Sequence, residues 1–83
     1  MRRRVRINDR SWTVDDSARI GGRWGDCDWD ERAIRICSSA KEHGQYRETF
    51  IHEHLHAMFP WMSEDAVLAA AATLDKNMTL CGL

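Results

Sequence analysis

No stretch of this chain comes near the roughly 20 apolar residues of a membrane span. The basic start Met1-Arg2-Arg3-Arg4 runs into Val5-Arg6-Ile7-Asn8 rather than into the apolar core of a signal peptide. These absences set the expectation of a cytoplasmic protein without membrane contact. Cysteine is sparse: Cys27, Cys37 and Cys81 make an odd count with no CxxC pair, which argues against a disulfide framework and against a cysteine zinc knuckle. Proline occurs once, at Pro60, and neither a low-complexity linker nor an internal repeat divides the 83 residues, so 1–83 reads as a single domain. Net charge is slight, at −1, although residues 1–10 hold five arginines against one aspartate. That stretch reads as an edge strand guarded by charge, with a nucleic-acid contact the disfavoured alternative.

The chain is 43% hydrophobic and 30% charged, the balance of a folded globular protein. At this length only about two thirds of the unfolded surface can be buried, so the core is thin and a bound metal would help to hold it. Val5 and Ile7, then Trp12 and Val14, alternate with polar residues around Asn8-Asp9-Arg10-Ser11, the pattern of a hairpin. A second pair, Trp24–Asp28 and Ala33–Cys37, flanks the polar turn Trp29-Asp30-Glu31-Arg32, and Gly21-Gly22 breaks the chain between the pairs. The β region is therefore expected over about 3–37. A first helix is expected over about 43–59, with Ile51, Leu55, Met58 and Met62 in a core-facing sector of about 60° and Pro60 ending it. Ser63 is a good N-cap for a second helix over about 64–78 that packs Val67, Leu68, Ala71, Leu74 and Met78. The expected fold is α+β: a small antiparallel β-sheet followed by an α-helical hairpin.

His52-Glu53-His54-Leu55-His56 satisfies the pattern HExxH. On a helix its outer histidines lie at i and i+4, with Cβ atoms about 5–6 Å apart on one face, close enough to share one metal. Zinc suits neutral imidazole, and three protein ligands leave a fourth position for water. Glu53, beside the first histidine, is placed to act as general base toward that water rather than as a ligand. His54 points about 180° from the pair and is assigned to packing, and His43 to an exposed loop.

A third ligand is expected at Glu64, within about 40° of the centre of the second helix's apolar stripe, whereas Asp65 lies on its flank. An inward carboxylate needs a partner, and a turn near Pro60 midway between His56 and Glu64 would bring those two together. The competing role for Glu64 is an acid complementing the helix dipole. Thr49 shares a face with His52 and is a candidate to orient it from behind. Tyr46 is a candidate oxyanion stabiliser, with packing at the helix start the favoured alternative.

Trp24-Gly25-Asp26-Cys27-Asp28, Arg35-Ile36, Ile51-His52-Glu53 with His56-Ala57, and Ser63-Glu64-Asp65-Ala66-Val67 together resemble small metallopeptidases of the zincin class found in phages, prophages and bacteria. The resemblance spans about residues 24–75. It implies a minimal zincin fold, a sheet whose edge strand pairs with an extended peptide and a helix behind it carrying the site. It also implies His52, His56 and Glu64 as Zn2+ ligands and Glu53 as catalytic base. The third histidine of HExxHxxGxxH is absent, since Pro60 and Trp61 follow where that pattern would continue, and so is the long helix of larger relatives. The expected function is zinc-dependent hydrolysis of a peptide or protein substrate. The alternative is a zinc-stabilised binding module acting through protein or nucleic-acid contacts.

Overall fold

A computed structural model describes all 83 residues, Met1–Leu83. Asn8 and Asp9 take φ of 50° and 64°, the positive pair that a two-residue type I′ loop requires. The loop folds strand β1 (Arg2–Ile7) antiparallel onto β2 (Arg10–Ala18), with Val5 opposite Trp12. Strands β3 (Gly25–Asp28) and β4 (Ala33–Cys37) form the second hairpin. Its turn is held by the Asp28 carboxylate, which accepts the Glu31 N–H at 3.1 Å.

Both hairpins are antiparallel, as their alternation predicts, but they join through a parallel pairing of β2 with β4 that makes the sheet mixed. The order is β1-β2-β4-β3. After β2 the chain crosses the slot that β4 later fills, lays β3 at the outer edge, and returns in the direction of β2. Gly22, at φ 78°, lies in that crossing. Hydropathy alternation encodes which face a strand buries, not the direction in which two hairpins meet.

Helix α1 (Tyr46–Met58) covers one face of the sheet, and α2 (Glu64–Leu80) packs on α1 and on no strand. The main core is Ile7, Trp12, Val14, Ile34, Ile36, Ala40 and Ala57, with Phe50 and Met58 against it. Ile34, Ile36 and Val67 are fully buried, each stabilising the fold by about 2 kcal/mol.

The buried row of α1 is Thr49, Glu53 and Ala57, whereas Ile51, Leu55 and Met62 of the expected stripe are only half-buried. The stripe was phased for a helix with one apolar neighbour, and α1 has two, sheet and α2. On α2, Val67 and Ala71 are buried as expected, but Leu68 and Leu74 are 52% and 45% exposed, because α1 is the only element that α2 meets. The Asn8 side-chain amide donates to the Met58 carbonyl at 2.8 Å, tying the first hairpin's turn to the end of α1.

Candidate metal centre

Three sequence features bring α2 back onto α1. Pro60 follows Phe59, the last capping position of α1, and a turn closed by Met62 N–H on the Phe59 carbonyl at 2.9 Å reverses the chain. The Ser63 hydroxyl then accepts the Ala66 N–H at 3.1 Å and starts α2 at Glu64. Glu64 is thereby the first helical residue after the turn, facing the last two turns of α1.

From there its carboxylate reaches both histidines. Glu64 Oε1 lies 2.8 Å from His52 Nε2, Glu64 Oε2 lies 2.9 Å from His56 Nε2, and the two Nε2 atoms are 3.2 Å apart. The histidine side chains are 15% and 16% exposed and that of Glu64 is 66% exposed. Glu64 thus sits at the mouth of the site rather than buried in the hairpin, so the desolvation argument does not apply to it, and its place in the first turn suffices. Asp65 is exposed and outside the group.

The donor set could hold a metal ion. If both imidazoles donate Nε2–H to Glu64, the 3.2 Å contact between them has two donors and no acceptor. A cation receiving three lone pairs removes that conflict. Ligand atoms at 2.0–2.1 Å around a tetrahedral zinc stand about 3.3–3.4 Å apart, somewhat wider than the contacts of 2.8, 2.9 and 3.2 Å that the two Nε2 atoms and the two Glu64 oxygens make here. His52, His56 and Glu64 are the residues that could hold it.

Beside them, Glu53 is buried yet lines the same cleft, of about 490 Å³, as both histidines and Glu64. Burial first, then the negative charges of Glu64 and Asp26, push its carboxyl up to about 7 in the metal-free chain. The cleft runs between α1 and β3, and Gly25 is what lets them approach. A Cβ at Gly25 would meet Thr49 Cγ2 at 2.6 Å, the Arg35 carbonyl at 2.8 Å and Glu53 Cγ at 3.3 Å.

The outer side of β3 is free. The Trp24 carbonyl accepts the Cys37 N–H at 2.7 Å, so the residues opposite β4 with inward hydrogen bonds are 24, 26 and 28. By alternation the N–H and C=O of Gly25 and Cys27 face outward from the sheet edge. Asp26 and Asp28 hold Arg35 at 2.7 and 3.5 Å, which stiffens that edge.

Other sequence candidates lie elsewhere. Thr49 is buried against Gly25 and makes no hydrogen bond to either histidine. Tyr46 donates its hydroxyl to Asp16 at 2.9 Å and does not line the cleft, so packing is its role. His54 sits apart, Nδ1 at 2.7 Å from the Phe50 carbonyl and ring 4.1 Å from that of Phe50, and burial lowers its pKa. His43 is exposed, its ring 5.3 Å from that of Trp24.

Five cleft residues escaped the sequence reading: Gly25 as a close-approach position, Trp29, whose ring stands edge-on 6.4 Å from His56, Arg23, Gln45 and Glu48. Glu48 was findable, being one helical turn before His52 on the same row; Trp29 sits in a turn, where periodicity carries no information. Comparison with protein-family models, curated proteins and solved structures finds no match.

Proposed function

We propose that the chain is a zinc-dependent metallopeptidase of minimal zincin type, cytoplasmic, hydrolysing an extended peptide laid along the free edge of β3. The observation that carries this is the convergence of His52, His56 and Glu64, from two helices, on one point beside the buried Glu53. A purely structural metal site has no use for a buried carboxylate that opens into the same cleft, and a structural zinc is usually closed by four protein ligands where this group supplies three.

In this reading the outward N–H and C=O groups of Gly25 and Cys27 bind the peptide main chain, as an added strand would. Bound zinc supplies Lewis acidity toward the scissile carbonyl and acidity to water. Glu53 takes the proton from the attacking water as its oxygen bonds to the carbonyl carbon. It then delivers that proton to the amide nitrogen as the C–N bond breaks.

The test pairs metal analysis with digestion of a peptide library by wild type and by Glu53→Gln. Both proteins should carry zinc near one per chain, and only wild type should cleave. Equal cleavage by both would assign the activity to another base or a contaminant. Zinc without cleavage in wild type would put the binding-module reading ahead.

A further inference from the structure

Around the cleft, most charges have partners. Arg23 lies 3.4 Å from Asp26, and Arg35 bridges Asp26 and Asp28. Glu64 faces the histidine pair, and Glu53 is the base in the proposed reaction. Glu48 remains: half-buried, lining the cleft, and with neither a hydrogen bond nor an ion pair to any residue of the chain. It stands in the first turn of α1, the helix that carries both histidines.

Two neighbours in the cleft complete a setting for a cation. Trp24 presents an aromatic ring of the kind that attracts ammonium and guanidinium groups. Gln45, the residue before α1, makes no side-chain capping bond, so its amide oxygen is free to accept a hydrogen bond. We infer that Glu48, Trp24 and Gln45 form a subsite for a lysine or arginine side chain of the peptide substrate. This rests on the peptidase reading for its occupant.

Dimensions set its register. From Gln45 to His56 the helix rises about 16 Å, and from Trp24 to Trp29 the chain along β3 spans about the same distance. The cleft therefore takes about five residues of extended peptide. Glu48 stands one turn, about 6 Å, from His52, which is about two residues of extended chain. The basic side chain belongs about two residues from the scissile bond.

Binding tests this apart from hydrolysis. The full-length Glu53→Gln protein is titrated by 15N NMR with capped alanine pentapeptides whose central residue is arginine, its neutral isostere citrulline, or glutamate. The arginine peptide should bind about tenfold more tightly than the citrulline peptide, as one charged hydrogen-bonded contact implies, and should shift the Trp24 indole and Glu48 amide signals. Adding Glu48→Gln should equalise the two, and Glu48→Lys should favour the glutamate peptide, the retained NMR spectrum reporting that each variant is folded. No binding of the arginine peptide, equal binding of arginine and citrulline, or a preference that survives Glu48→Gln overturns the subsite. A wild type that shows this preference and cleaves nothing would sink the peptidase reading and leave the subsite standing; cleavage without basic preference does the reverse.

Discussion

Replacing Glu64 by alanine isolates the contribution of α2 to the proposed metal centre, because Asp65→Ala is an internal control. Both residues are acids in the first turn of α2 and both complement its dipole, a contribution of about 0.3–1 kcal/mol that cancels in the comparison. Only Glu64 has oxygens at 2.8 and 2.9 Å from the two histidine nitrogens. Altering a residue that merely orients a ligand costs about 10–100-fold in metal affinity, so removing the single anionic donor should cost on the order of 1,000-fold. At a buffered zinc concentration 1,000 times the wild-type Kd, binding stabilises the fold by about 4.1 kcal/mol; after a 1,000-fold loss it contributes about 0.4. The difference, near 3.7 kcal/mol, corresponds to roughly 15–30 °C in Tm for a domain of this size. Thermal melts in buffered zinc, alongside competition with a chromophoric chelator, measure both quantities. Equal shifts for Glu64→Ala and Asp65→Ala, or melts of wild type that ignore zinc, would refute the ligand assignment.

Gly25→Ala should destabilise the fold by about 1–3 kcal/mol, since the added methyl meets Thr49 and the Arg35 carbonyl below 3.0 Å, and it should slow the proposed hydrolysis by displacing Glu53; a denaturant midpoint unchanged from wild type would contradict that close approach. Cys27 and Cys37 should differ in alkylation at pH 8: burial, then Glu53, Asp26 and Asp28, push the Cys27 thiol up to about 12, whereas the Ser39 hydroxyl lowers that of Cys37. Peptide mapping after iodoacetamide treatment should find Cys37 modified before Cys27, and equal rates for these two would remove the argument.

What the sequence disclosed, and what it withheld, follows from the range of the forces involved. Asn8-Asp9, Pro60 and Ser63 act on their immediate neighbours, and the hairpin turn, the end of α1 and the start of α2 fall where these residues predict. The spacing of His52 and His56 is likewise local, one turn of one helix. The parallel pairing of β2 with β4 depends on where a remote hairpin docks, which no local pattern specifies. The phase of α1 was misjudged for a related reason. Its innermost row, Thr49-Glu53-Ala57, includes a carboxylate and a hydroxyl, and hydropathy counts these as surface. Gly25 makes room for that polar row, so the polar core of α1 and the glycine of β3 are one feature divided between two distant parts of the chain.

The layering has a dynamic consequence at the site. Helix α2 touches α1 and no strand, and the residues it buries fully are Val67 and Ala71. Those two small side chains contribute only about 2–3 kcal/mol of burial. Polar links hold its two ends: Glu64 to the histidines at one, and at the other Arg47, which reaches the Asp75 carboxylate at 2.7 Å and the Asp75 carbonyl at 3.0 Å. A metal bound as proposed would contribute about 4 kcal/mol at 1,000 times its Kd and would rival everything else that docks α2, whereas the sheet keeps its own core of Ile34, Ile36, Trp12 and Val14. Removing zinc should open α2 as a local unit before the sheet yields. Hydrogen exchange read by mass spectrometry, with and without chelator, should show amides of 64–80 exchanging at least tenfold faster while those of 10–18 and 33–37 are unchanged. Arg47→Ala in the zinc-loaded protein should loosen only the C-terminal half of α2. Uniform acceleration across helix and sheet would mean that the metal holds the whole fold rather than this one helix, and no acceleration would mean that Glu64 does not tie α2 to the site through a metal.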